Sequence, residues 1–264
     1  MTIDVVQSLL EAGRVDQDDL AQRFASSYRW SRGYGPGAAK LLRRIRRGQD
    51  WQSANRSVFP DGSLGNGGAM RAPAMGLFFF AAGEEAVIAA ARASAEITHA
   101  HPQGCEGAVV IALATVFALR DVPSGEIIKR LCQTAQHADF VNKLQRARTW
   151  LEVDEAVSPR TVATVLGNGV TAVDSCITAL FVALRFRERP FDDLLAFVIA
   201  MRGDVDTIAA MAGAIWGAAR GLNALPPARP AQLEQCDRLL ALAQSLADRV
   251  RAPESHGCAA PHSC

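Results

Sequence analysis

The stretch "GAVVIALATVFALR", Gly107 to Arg120, sets the class of fold. Its apolar residues do not alternate with polar ones, and it reads as a buried helix. "EEAVIAAARASAEIT", Glu84 to Thr98, reads the same way upstream. Working outward, alanine and leucine dominate, period-2 alternation is scarce, and helical spacing recurs along most of the chain. Ile3, Val6, Leu9 and Leu10 form one helical face, and Leu20, Phe24 and Tyr28 another. "SGEIIKRLCQTA" opens on a Ser124 cap with Glu126 close behind it. "DSCITALFVALRF", "DDLLAFVIAM", "DTIAAMAGAIWGAARGL" and "AQLEQCDRLLALAQSLADRV" complete the set. The expectation is an all-α, multi-helix domain with short loops over residues 1–250. No fixed-period repeat points to a solenoid.

Composition narrows the functional classes. The chain has 264 residues, 49% hydrophobic and 21% charged, with a formal net charge of +1. That length supports a sizeable core. That charge gives no global field for nucleic acid or a membrane surface. In the most basic run, "KLLRRIRRG" at Lys40 to Gly48, Leu41, Leu42 and Ile45 share one helical face, so the arginines form its solvated side. The nearest approach to a membrane span is "LFFFAAGEEAVIAAARA", interrupted by Glu84 and Glu85. Six scattered cysteines without a CxxC pair, and no signal-peptide pattern at the start, give the expectation of a cytoplasmic chain with free thiols. Residues 251–264, "RAPESHGCAAPHSC", read as a disordered tail. Its His256, Cys258, His262 and Cys264 have no common zinc spacing and read as composition rather than a metal cage.

Chemistry concentrates at junctions between loops and helices. In "SLGNGGAMRAPAMG", Ser63 to Gly76, a stretch with four glycines, Gly65, Asn66, Gly67 and Gly68 lead into an apolar helix carrying Arg71. Glycine is costly to order. A helix start offers unpaired N–H groups and a positive dipole end, and bare glycines let an anion such as a phosphate reach them. The alternative is a tight turn packed under another helix. In "EITHAHPQGCEGAVV", Pro102 takes His101 out of helical geometry, and His99 or His101 either binds a ligand or caps the turn. In "MRGDVDTIAAMAGAIWGAARG", Asp204, Asp206 and Thr207 crowd the start of a long Ala/Gly-rich helix. They supply hard oxygen ligands suited to Mg²⁺, Mn²⁺ or Ca²⁺, while Asp204 alone would also serve as a cap. Haloacid-dehalogenase phosphatases also use DxD, but at a strand end in an α/β fold that this composition does not support. "LGNGVTAVDSCITALF" repeats the Gly-Asn-Gly theme at Gly167 to Gly169.

Taken together, these junctions resemble the ADP-ribosylglycohydrolase family. "GNGGAMRAP" is similar to its GNGxxMRxxP signature, "THAHPQGCEGA" to its TH-x-HP segment, and "GNGVTAVDSCITALF" to its GxGVxAxxSVPxALF element. "RGDVDTIAAMAGAIWGA" is close to its GGDTDTIAAxAGAIxGA motif, and "RGYGPGAAKLLRRIRRG" also looks like a family segment. The resemblance covers about Ile3 to Leu225, in order. It implies an all-α bundle with a central cleft holding two divalent cations, Mg²⁺ or Mn²⁺. It also implies hydrolysis of the bond between ADP-ribose and a protein side chain or small molecule, with ADP-ribose or an ADP-ribosylated protein as partner. By that match Asp204, Asp206 and Thr207 bind metal. The ADP-ribose-binding set it implies is Gly65, Asn66, Gly67, Gly68, Met70, Arg71, His99, Gly104, Asn168 and Gly169. The glycines would expose backbone N–H groups to the diphosphate.

The match is incomplete. Family members begin with a helix carrying a substrate-reaching glutamate, followed by a TDDT segment with the other metal ligands. "MTIDVVQSLLEAG" resembles the helix after that segment. The expectation is a bundle truncated at its N-terminus and impaired as a hydrolase, with the acid/base group upstream of Met1. The alternative is a non-catalytic ADP-ribose-binding or structural relative. Arg202 stands where the family has glycine, Val205 where it has threonine, and Cys176-Ile177 where it has Val-Pro. Arg202 would place a bulky cation beside the site, to repel a metal or reach a phosphate.

Overall fold

The computed structural model describes residues 1–153 and 156–251; Arg251, the first residue of the tail read above as disordered, ends a helix, and the rest of that tail, with its histidines and cysteines, lies outside the described residues. Four helices form an N-terminal layer: α1 (Thr2–Ala12), α2 (Gln17–Ser27), α3 (Pro36–Arg46) and α4 (Trp51–Val58). The main body follows with α5 (Gly67–Phe79), α6 (Glu84–Glu96), α7 (Pro102–Leu119), α8 (Ser124–Thr134) and α9 (Ala138–Glu152). It continues with α10 (Pro159–Val165), α11 (Ala172–Arg185), α12 (Phe191–Met201) and α13 (Val205–Arg220). The short α14 (Ala228–Ala231) and α15 (Cys236–Arg251) end the described chain. Among the described residues there is no strand, only one isolated antiparallel bridge between Gly65 and Thr171. The all-α expectation holds.

α7 is the axis. Residues Gly104 to Ala118 are all buried, with α5, α6, α11 and α13 packed around them. An apolar helix with no polar face must be enclosed this way. α7 is also long and apolar enough to cross a membrane by length and composition alone, but most of it is buried inside the protein. The stretch from Leu77 to Ala93, expected to come nearest to a span, is instead divided between α5, a 3₁₀ turn at Phe80–Ala82 and α6.

A second apolar cluster joins the layers. Leu9, Leu20, Phe24, Leu41, Leu42 and Ile45 pack with Met75 of α5 and with Ala90 and Ile97 on the α6 side. Each of the fully buried Leu, Ile, Phe and Met side chains is worth about 1.5–3 kcal/mol. The arginines of α3 at 43, 46 and 47 are exposed, as its apolar face requires.

Three local expectations are corrected. The buried face of α1 is Asp4, Val5, Ser8 and Leu9, not Ile3, Val6, Leu9 and Leu10. The two polar members tolerate burial because α2 satisfies them: Ser27 Oγ donates to Asp4 Oδ2 at 2.7 Å, and Ser8 Oγ to Asp19 Oδ2 at 2.6 Å. Ser124 does not cap α8: Pro123 holds the cap position, and Glu126 pairs with Lys129 and Arg130 instead. The helix read over 231–250 is interrupted between Ala231 and Cys236, and α15 buries only Leu246 against its neighbours.

Candidate active site

Three loops separated widely in sequence are stitched into one floor. Asn66 N donates to Val170 O at 3.1 Å and Ala172 N to Leu64 O at 2.8 Å, pairing the two Gly-Asn-Gly segments. Asp204 N donates to Asn168 O at 2.8 Å, and Asn168 Nδ2 to Met201 O at 2.9 Å, adding the loop before α13. This contact requires glycine at 203: its φ is +75°, and a Cβ there would lie 2.2 Å from Asn168 O.

Side chains lock the same junction. Asn66 Nδ2 donates to Asp204 Oδ2 at 2.6 Å and to Ser175 Oγ at 3.0 Å, while Ser175 Oγ donates to Thr171 O at 2.8 Å. Thr207 Oγ1 donates to Asp204 Oδ1 at 3.0 Å. Asp204 occupies the N-cap position of α13, yet its carboxylate caps no backbone N–H. Burial raises its pKa, and the neighbouring Asp206 carboxylate adds to the rise, against the lowering hydrogen bonds from Asn66 and Thr207.

Arg71 and His99 make one wall. Arg71 is buried, and among the described residues its guanidinium meets no carboxylate in an ion pair. Its Nε donates to Ser94 Oγ at 3.1 Å, Nη1 to Gly67 O at 3.1 Å, and Nη2 to Ser94 O at 2.6 Å and Thr98 Oγ1 at 2.9 Å. The guanidinium also lies 4.8 Å from the centre of the Phe24 ring. Burial lowers its pKa to about 10, so it remains a cation at neutral pH. Burial, helped by the Arg71 charge, drops the His99 pKa to about 3 and leaves the imidazole neutral. Its ring rests against the glycine floor: a Cβ on Gly67 would approach His99 Cε1 to 2.6 Å.

Floor and wall open onto a cleft of about 880 Å³, within the range of small-molecule sites. Of the residues predicted for ADP-ribose, Gly65, Asn66, Gly67, Met70, Arg71 and His99 line it, and so do Asp204, Asp206 and Thr207. Gly68, Gly104, Asn168 and Gly169 are not among its lining residues. Gly68 packs on Ala95, Gly104 against the carbonyls of Ser63 and His99, and Gly169 beside Asp174, while Asn168 braces the floor from behind. His101 caps α7, with Nδ1 accepting from Gln103 N at 3.2 Å. Arg202 is exposed and does not line the cleft, contrary to the expectation of a cation beside the site. Cys176 and Ile177 are fully buried, so the replacement of Val-Pro keeps apolar packing.

The opposite wall carries residues that no sequence argument assigned. Asp4, Ser27, Arg29, Arg32 and the segment Gly33 to Ala38 line the cleft, as do Glu234, Gln235 and Arg238 near the C-terminal end. The signal for the first group was present: "GYGPG" repeats the pattern of glycines ahead of a helix, with Pro36 at its first turn. α3 and α5 both begin at this cleft with no side-chain cap on their first N–H groups. Glu234 gave no sequence signal, because it arrives through a paired contact with Arg32 at 2.6 and 2.7 Å, 202 residues away.

As a donor set, Asp204, Asp206 and Thr207 give two carboxylates and a hydroxyl at one helix start. The pKa of Asp204 is raised first by burial and then by the neighbouring Asp206 carboxylate, and a hard cation would offset both. The set fits one such ion. No group of three or more His, Cys, Asp or Glu side chains positioned for a metal occurs among the described residues.

A family model for ADP-ribosylglycohydrolase matches residues 1–256. ADP-ribosylhydrolase ARH3 of Mus musculus is 34% identical over 279 residues, covering 93% of this chain and 75% of its own. The Danio rerio protein of the same name is 33% identical, covering 98% of this chain and 79% of its own. An Escherichia coli protein, YegU, of uncharacterised function, is 27% identical over 90% of this chain and 75% of its own. A solved structure described as an ADP-ribosylglycohydrolase-related protein complex superposes with a TM-score of 0.71 at 23% identity, covering 94% of this chain and 79% of that one, a likeness of fold. On the ordered motifs, the helical architecture and the match over 1–256, the chain belongs to the ADP-ribosylglycohydrolase family.

Proposed function

We propose that the cleft binds an ADP-ribosyl group and that the protein hydrolyses its glycosidic bond to a protein side chain or small molecule. The observation that carries this reading is the convergence on one cleft of two uncapped helix starts and an aspartate pair. The diphosphate is an anion. The first N–H groups of α3 and α5 offer it partial positive charge, with Arg29 and Arg32 nearby. Exposed apolar atoms of Met70 and Val170 give a surface for the flat or puckered rings of the ligand.

Asp204, Asp206 and Thr207 would hold a Mg²⁺ or Mn²⁺ ion, with water and ligand oxygens completing its shell. Such an ion supplies Lewis-acid polarisation of ribose oxygens and a more acidic bound water. The chain's own part is positional. Asn66 and Thr207 hold the Asp204 carboxylate, and His99 closes over the glycine floor. Because no group of three or more His, Cys, Asp or Glu side chains positioned for a metal occurs among the described residues, binding without turnover is the second reading.

The test is release of free ADP-ribose from serine-linked and arginine-linked ADP-ribosylated proteins, with Mg²⁺ or EDTA, beside calorimetric titration with ADP-ribose. Release that EDTA abolishes supports the hydrolase. Binding without release selects the second reading. Absence of both refutes the assignment of the cleft.

A further inference from the structure

The geometry points to Arg71 and Thr98 as positioning residues that hold the His99 imidazole in one tautomer, so that it meets the ligand only as a hydrogen-bond donor. This rests on reading the cleft as the ADP-ribosyl site, but the tautomer can be measured without any ligand.

The number of protons available fixes the direction of each hydrogen bond. A guanidinium can only donate. Arg71 Nη2 lies 2.9 Å from Thr98 Oγ1, so Thr98 is the acceptor there. Thr98 is completely buried, and among the described residues its one other side-chain hydrogen bond is with His99 Nδ1 at 2.7 Å. If Nδ1 carried a proton and donated it, the hydroxyl hydrogen of Thr98 would be left buried without an acceptor, an arrangement folded proteins avoid. The buried charge of Arg71 also opposes a further proton on that side. The chain therefore runs in one direction: Arg71 donates to Thr98, and Thr98 donates to Nδ1. The single proton of the neutral imidazole then sits on Nε2.

Nε2 faces a different environment. Among the described residues it has no hydrogen-bond partner, and it is not sealed from solvent. It lies beside the floor, within 2.9 Å and 3.1 Å of where a Cβ on Gly67 or Gly65 would stand, and all three residues line the cleft. Its N–H is thus available to the contents of the cleft, and it selects an acceptor oxygen of the ligand while offering nothing to a donor.

Nitrogen-15 correlation spectra of the ligand-free protein at neutral pH test the tautomer. The expected result is a protonated Nε2 and an unprotonated, hydrogen-bonded Nδ1. A protonated Nδ1, or an even mixture, overturns the inference. Thr98→Val keeps the shape and removes the donor. It should shift the Nδ1 resonance toward that of a free imidazole and weaken ADP-ribose binding about tenfold, while Thr98→Ser preserves both. If Thr98→Val leaves the His99 nitrogen resonances unchanged, the relay is wrong. If no variant or parent binds ADP-ribose, the functional reading fails, and the spectra still decide the tautomer.

Discussion

Replacing Arg202 with glycine should stabilise the protein. Arg202 ends α12 with φ 59° and ψ −162°, a region essentially reserved for glycine and costing another residue roughly 1–3 kcal/mol. Its side chain is exposed, and its backbone N–H donates to Ile199 O at 3.1 Å, a bond that any residue keeps. Against the relief stands the greater freedom of glycine in the unfolded chain, about 0.5–1 kcal/mol. The net expectation is about 1 kcal/mol, or roughly 2–4 °C in Tm for a protein of this size. Calorimetry in EDTA, which removes stabilisation by bound metal, is the assay. Arg202→Ala is the control, because alanine removes the side chain and keeps the strain; it should leave Tm unchanged. Equal rises for glycine and alanine would mean that side-chain charge, not backbone geometry, carries the effect, and no rise for glycine would refute the strain argument. Gly203→Ala should act in the opposite direction, because its Cβ would meet Asn168 O at 2.2 Å where φ is already +75°.

Gly67→Ala should push His99 off the floor, since the new methyl would stand 2.6 Å from Cε1; calorimetry with ADP-ribose should show at least about a tenfold weaker complex, an effect of about 1.4 kcal/mol. His99, neutral in the fold with its pKa near 3, makes stability fall as pH drops, because the unfolded chain takes up a proton near pH ~6.5 that the fold refuses until far lower. His99→Gln should therefore flatten urea-derived stability between about pH 6 and 4, by at most about 1.4 kcal/mol per pH unit; an unchanged slope contradicts the burial argument. Titration with Mn²⁺ should give no more than one ion per chain, and Asp204→Ala should abolish that binding while the helical circular-dichroism spectrum persists.

The helices were legible because burial writes periodicity into sequence, and α7 shows it most plainly. What hid from reading was anything set by a distant partner. Asp4 and Ser8 look like the polar side of α1, yet they are buried because Ser27 and Asp19 lie opposite. The glycine junctions at 65–68 and 203–207 announced a cleft, and "GYGPG" carried the same pattern without being assigned to it. Asn168 sits in a family motif and reads as a contact residue, while its place is under the floor, bracing Met201 and Asp204. Arg71 displays a charge that sequence assigns to a ligand; it lines the cleft, and what sequence did not show is that its N–H groups also reach Ser94, Gly67 and Thr98.

The floor has a consequence for how the molecule is made. Asn66 must find Ser175 and Asp204 at sequence separations of 109 and 138 residues. Contacts that distant are slow to close, and a ribosome emits residues one after another at about 5–20 per second. The N-terminal layer can begin packing early, whereas the cleft cannot exist until α13 has emerged. Through most of its synthesis the chain therefore carries the glycine loop as an open segment with no pocket attached, and the cleft arrives late. Ligand binding by nascent or refolding chains would report completion of the fold, and not its beginning.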